Sequence, residues 1–147
     1  MTADAFRILL EEVIHDPKFQ PCDGTTFCNM AVQKVCNAFD VYDLDGMMAN
    51  QMVAALEAGM LKGWAACTAQ EATRHALDGG LALAGKQYVG HGHIAVVWPG
   101  SLDFAGSYGK EVPMLANVGS KNGVLNLGWV FAAKKGEPGY WKFTQGA

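Results

Sequence analysis

The stretch DGGLALAGKQYVGHGHIAVVW, residues 78–98, decides the fold, because the chain changes character within it. Two glycines close a helical pattern, and short apolar runs separated by glycine follow at 81–84, 87–89 and 92–98, each of strand length. The same signature predicts strands at 113–118 and 140–144. Upstream the spacing is helical. Phe6, Leu9, Leu10, Val13 and Ile14 recur at i, i+3, i+4 in a helix over 5–15 that Asp16-Pro17 ends. Ala31, Val32, Val35, Cys36 and Phe39 form a second stripe, in a central buried helix that starts at Phe27 and that Cys28 extends backwards by one turn. Met47, Met48, Met52, Val53 and Leu56 mark a third helix over 46–58, and Thr68-Ala69-Gln70-Glu71 matches the capping box of a short fourth. Helices first and strands afterwards predict an α+β domain, with N-terminal helices packed on one side of a C-terminal antiparallel sheet, and not alternating βαβ units. Residues 18–26 read as a loop, and 101–111 as a long mobile connection.

A length of 147 residues predicts one domain over 1–147, large enough for a sizeable core. Half the residues are hydrophobic and the net charge is only −3, with no basic cluster to neutralise phosphates, so neither nucleic acid nor a membrane surface is an expected partner. Apolar runs fall far short of the roughly 20 residues of a helical membrane span. The first residues carry no basic segment followed by a continuous apolar one, so no secretory signal is expected and synthesis in the cytoplasm is. Cys22, Cys28, Cys36 and Cys67 are irregularly spaced, without a C-x-x-C pair, which argues against a zinc ribbon or a disulfide scaffold. Cys36 and Cys67 are expected to be inert buried thiols. The acidic turn before Gly46 fails as a calcium loop, since Val41 and Met52 stand where it needs carboxylates.

Cys28 stands apart because a polar loop ends and an apolar helix begins at Thr26-Phe27-Cys28-Asn29-Met30. Unpaired N–H groups and the aligned peptide dipoles at a helix start favour a thiolate. A nucleophilic thiol needs a base and a group that orients the base. His93 opens the strand Ile94-Ala95-Val96-Val97 and is the candidate base, with His91 in a more loop-like setting between glycines. Asn117, at the end of the next strand, is the candidate orienting amide, and Asn122 or Asn126 are substitutes for it. The competing readings are a buried Cys28 that only continues its helix stripe and an Asn117 that only bonds turn backbone. A zinc site on His91 and His93 lacks H-E-x-x-H or paired cysteines, and Gly90-His91-Gly92 lacks the remainder of a phosphate loop. No cofactor is expected. Of the four tryptophans, Trp98 is the candidate for a place at the cleft, because it ends the histidine strand.

Thr26-Phe27-Cys28-Asn29-Met30-Ala31-Val32, then Gly92-His93-Ile94-Ala95-Val96-Val97, then the run from Pro113 to Asn117 resemble the papain-like peptidoglycan peptidases and amidases of the NlpC and CHAP groups. The resemblance implies Cys28 as nucleophile, His93 as general base and acid, Asn117 as the orienting residue, and a Cys28 N–H that helps hold the oxyanion. It implies hydrolysis of an amide bond in bacterial peptidoglycan, either in the stem peptide or at the muramoyl–alanine link. By the same analogy the protein is a phage lysin or an antibacterial effector, delivered to the wall by lysis or by a secretion machine, the effector having an immunity protein as partner. The chain departs from many of these relatives in having Asn29-Met30 where they have Ser-Gly. The alternative from another class is a non-catalytic binding domain of the same fold.

Overall fold

The structure, a computed structural model, describes residues 1–144. In chain order its elements are α1 (Ala3–Ile14), α2 (Cys28–Ala38), α3 (Ala49–Glu57), β1 (Trp64–Cys67), α4 (Ala69–Leu77), β2 (Ala82–Lys86), β3 (His93–Val97), β4 (Asp103–Ala105), β5 (Lys110–Val112), β6 (Met114–Asn117), β7 (Gly123–Asn126) and β8 (Gly139–Phe143). Six strands make one sheet in the order β1-β8-β2-β3-β6-β7, with every neighbouring pair antiparallel, and β4 pairs β5 in a separate hairpin. This is the α+β arrangement expected from helices that precede strands. Among the described residues no helix is long and apolar enough to cross a membrane.

The helix stripes become the core. Helix α1, capped by Thr2 whose hydroxyl accepts from the Ala5 N–H at 3.1 Å, buries Phe6, Leu10, Val13 and Ile14. Helix α2 buries Cys28, Ala31, Val32, Val35 and Cys36 and lies against β3, with α1 resting on α2 and β6. The capping box forms as its sequence predicts: Thr68 and Glu71 each bond the other's backbone N–H, at 3.1 and 2.9 Å.

Several boundaries differ from expectation. Helix α3 starts at Ala49 and not at residue 46, because Gly46 takes a positive φ of 78° and Met48 is extended. Residues 87–89 do not form a strand: β2 ends at Lys86, and the amide of Asn50 clamps Tyr88, donating to its carbonyl at 2.9 Å and accepting from its N–H at 3.2 Å. Most of 101–111 belongs to the β4–β5 hairpin, which runs from Asp103 to Val112, in place of an irregular connection. Strands β1 and β7 were not expected; β1 sits among the helices in sequence and reaches the sheet by pairing β8. The one-sided picture of the sheet also needs correction. Every residue of Ile94–Val97 and of 82–84 is buried, so the alternation of a half-solvated strand is missing and both faces of the sheet centre are covered.

Candidate active site

The loop before α2 is held by a tight turn. Cys22 and Thr25 exchange backbone hydrogen bonds at 3.0 and 2.8 Å across Asp23 and Gly24, both at positive φ, the geometry that an Asp-Gly pair supplies most readily. This turn delivers Thr26 and Phe27 to the start of α2. Phe27 occupies the N-cap position and offers no side-chain acceptor to the first N–H groups of the helix. Cys28 is the first helical residue, with 7% of its surface exposed. Its sulfur is approached by the N–H groups of Ile94, Asn29 and Cys28 itself. Burial pushes the thiol pKa up, and those three N–H groups pull it partly back. The resting group is therefore a thiol, and the helix start offsets burial without overcoming it.

His93 and Asn117 meet because of strand register. Strand β3 pairs β6 with Val96 opposite Ala116; continuing that register sets Ala95 opposite Asn117, so His93 and Asn117 are diagonal neighbours on one face. His93 Nε2 lies 2.7 Å from Asn117 Oδ1. Asn117, only 4% exposed, also donates through Nδ2 to the Lys121 carbonyl at 2.7 Å, which fixes which end of its amide faces the imidazole. The amide oxygen can only accept, so Nε2 carries a hydrogen and Nδ1 of the neutral ring keeps its lone pair. Behind the imidazole stands Phe131, fully buried, with ring centroids 5.3 Å apart. A β-carbon at Gly119 would lie 3.1 Å from His93 Cε1 and press on the imidazole.

The substitutes for Asn117 have other work. Asn122 accepts from the Gly119 N–H at 2.9 Å and donates to the Phe19 carbonyl at 2.8 Å, while Asn126 bonds Gly128, Asp103 and Phe104. Trp98 follows the far end of β3 from His93, so the cleft position expected for it is not filled by it; Trp129, 85% exposed, stands there instead. Cys36 is fully buried, as expected, and burial raises its pKa to about 12. Cys67 is only half-buried in β1, with its thiol raised by burial and by Glu71 to about 11.

Two hollows open at this end of the sheet and meet at Thr26. One, of about 270 Å³, is lined by His93, Asn117, Lys121 and Trp129; the other, of about 80 Å³, by Cys28, Asn29, Asn50 and His91. The Cys28 sulfur contacts the N–H of the residue that follows His93, yet among the described residues no hydrogen bond joins it to the His93 ring. His91 is exposed, lines the cysteine side, and has no hydrogen-bond partner among the described residues. Sequence reasoning missed Thr26, Gly119, Phe131 and Trp129, of which only the Asn126-Leu127-Gly128-Trp129 run carried a local sign, a tryptophan in a turn. Among the described residues no three His, Cys, Asp or Glu side chains gather as they would around a metal.

Burial also holds the His93 pKa below the ordinary histidine value, against the opposing pull of the Asn117 hydrogen bond. An imidazole that charges more easily in the unfolded chain contributes nothing unfavourable above about pH 6.5 and destabilises the fold as pH falls through its lowered pKa. Urea midpoints are therefore expected to drop more between about pH 7 and pH 5 in the wild type than in His93→Gln. Equal drops would show that His93 is not the group responsible. No protein-family model matches the chain, and no curated protein does.

Proposed function

We propose that the protein is a cysteine hydrolase on a papain-like fold that cleaves an amide bond of bacterial peptidoglycan, in the stem peptide or at the muramoyl–alanine link. The observation that carries the reading is the 2.7 Å contact of His93 Nε2 with Asn117 Oδ1, beside a helix whose first residue is a cysteine. That contact leaves Nδ1 free to accept a proton, and a buried imidazole is neutral near pH 7.

In this mechanism the Cys28 thiol gives its proton to His93 Nδ1 as the sulfur attacks the amide carbon. The carbonyl electron pair moves to oxygen, and the uncapped N–H groups at the start of α2 stabilise the resulting charge. Collapse returns the pair to the carbonyl and expels the amine, which takes the proton from His93. Water, deprotonated by the same nitrogen, then releases the acid and restores the thiol. Asn117 acts through His93 by holding the imidazole tautomer. Delivery to the wall by phage lysis or a secretion machine, and pairing with an immunity protein in the second case, complete the reading by analogy with the family it resembles.

A non-catalytic binding domain is the second reading, and the raised thiol pKa and absent sulfur–imidazole hydrogen bond are what favour it. Purified sacculi distinguish the two. Wild-type protein is expected to release fragments whose masses identify the bond, and Cys28→Ala to lose that release by about 10³-fold or more. Iodoacetamide near neutral pH is expected to label Cys28 ahead of Cys36 and Cys67. Full activity in Cys28→Ala would rule out the mechanism, and labelling of Cys28 no faster than that of Cys36 and Cys67, with no fragments released, would leave the binding domain.

A further inference from the structure

We propose that the hollow beside the cleft, walled by Trp129 and Phe104, is a pyranose subsite that takes the glycan strand of the substrate, a reading that rests on the peptidoglycan assignment above. Trp129 is 85% exposed and Phe104 63% exposed, and both rings line one hollow. Trp129 lines two hollows at once: the one that holds His93, Asn117 and Lys121, and a neighbouring one of about 440 Å³ that it shares with Phe104. The second hollow therefore adjoins the candidate active site across Trp129, and its volume is that of a small-molecule site.

The platform is rigid. Asn126 accepts from the Gly128 N–H at 2.8 Å and donates to the Phe104 carbonyl at 3.0 Å and the Asp103 carboxylate at 3.2 Å, so one side chain ties the Trp129 turn to the Phe104 hairpin. Leu127 anchors the same turn in the core. The backbone that carries the two rings is thus held in place before a ligand arrives.

The lining selects the occupant. A sugar ring presents a flat face of C–H bonds to an indole and directs its hydroxyls sideways to neutral polar groups. Here the remaining walls are small or neutral, with Gly106, Ser107 and Gly128 among them, and among the described residues no charged side chain lines the hollow. A stem peptide carries carboxylates and would call for a cation; Lys121 supplies one on the His93 side, not here. A protein partner would need about 800 Å² of matching surface, which two rings in a glycine-lined hollow do not present.

The test uses full-length Cys28→Ala protein, so that nothing is cleaved, and a chito-oligosaccharide (a linear N-acetylglucosamine oligomer free of peptide) titrated by calorimetry. Binding is expected, weakened about tenfold or more by adding Trp129→Ala, partly recovered by Trp129→Phe, and unchanged by Met60→Ala, an equally exposed apolar residue elsewhere. Since Trp129 is largely exposed, its loss leaves the core intact. Absence of oligosaccharide binding overturns the subsite, as does equal affinity with and without Trp129. Binding of peptide-bearing muropeptides through Trp129, with none of the bare oligosaccharide, also overturns it. Failure of the hydrolase reading would appear separately, as wild-type protein that leaves sacculi uncut whatever the calorimetry shows.

Discussion

His93→Ala is expected to lower amide cleavage by about 10³-fold or more while leaving a folded protein, because it removes a cleft-lining imidazole whose tautomer Asn117 fixes. Asn117→Ala is expected to cost less, on the order of tenfold to a hundredfold, since the imidazole survives but loses the acceptor that holds its orientation. The comparison that gives the experiment its force is His91→Ala. His91 shares the hollow with Cys28 and is the rival base, but it is exposed and unheld. Kinetics on a soluble muropeptide check the ordering, with circular dichroism confirming the fold. If His91→Ala proved the more damaging of the two, the base would be His91, and the His93–Asn117 contact would be structural.

Phe131→Ala is expected to destabilise the fold by about 3–5 kcal/mol, the usual cost of deleting a buried aromatic ring and leaving its cavity. The residue is fully buried, its ring packs against His93 at 5.3 Å, and its carbonyl accepts from the Tyr108 hydroxyl at 2.8 Å. Removing the ring takes away the wall behind the imidazole, so surviving folded protein should also show a lower kcat with little change in KM. Phe131→Leu keeps most of the volume and is expected to recover most of the stability. Urea denaturation measures the first effect. A loss below about 1 kcal/mol would mean that the site collapses around the gap and that Phe131 does not brace His93.

How much of this was readable in advance depended on the range of the interaction. Local patterns carried well: the stripe Ala31, Val32, Val35, Cys36 and the Thr68–Glu71 box each involve residues within two turns, and each forms. The run from Ile94 to Val97 announced a strand by its unbroken apolar character, although the cover over both of its faces was not foreseen. Elements whose stability comes from a distant partner were silent. Strand β1 is four residues, Trp-Ala-Ala-Cys, with its two alanines exposed, and only pairing with β8 makes it a strand. The β4–β5 hairpin was hidden by glycines that read as mobility, although Gly109 at φ 67° instead permits its turn.

The candidate site divides along the same line. Cys28 at a helix start and His93 at a strand start could be picked out from their neighbours. Asn117 is favoured by its place at the end of the next strand, but its contact with His93, and the other employment of Asn122 and Asn126, rest on the β3–β6 register, which pairs Val96 with Ala116 and which no local pattern encodes. Burial of the sulfur was one of two readings that the sequence left open. A helix start predicts a stabilised thiolate, whereas the folded environment pushes the thiol up and leaves activation to a base.

Strand β8 bears on the order in which this molecule can be assembled. It follows every other strand in sequence yet lies inside the sheet, between β1 and β2. During synthesis, residues up to 138 emerge with β2 unpaired along one edge and β1 without any neighbour, so the sheet that carries His93 stays open until the segment from Gly139 to Phe143 inserts. A partly made chain thus already has its cysteine helix and the β2-β3-β6-β7 strands that bring His93 to Asn117. What waits for the segment from Gly139 to Phe143 is β1, which joins the sheet only through β8.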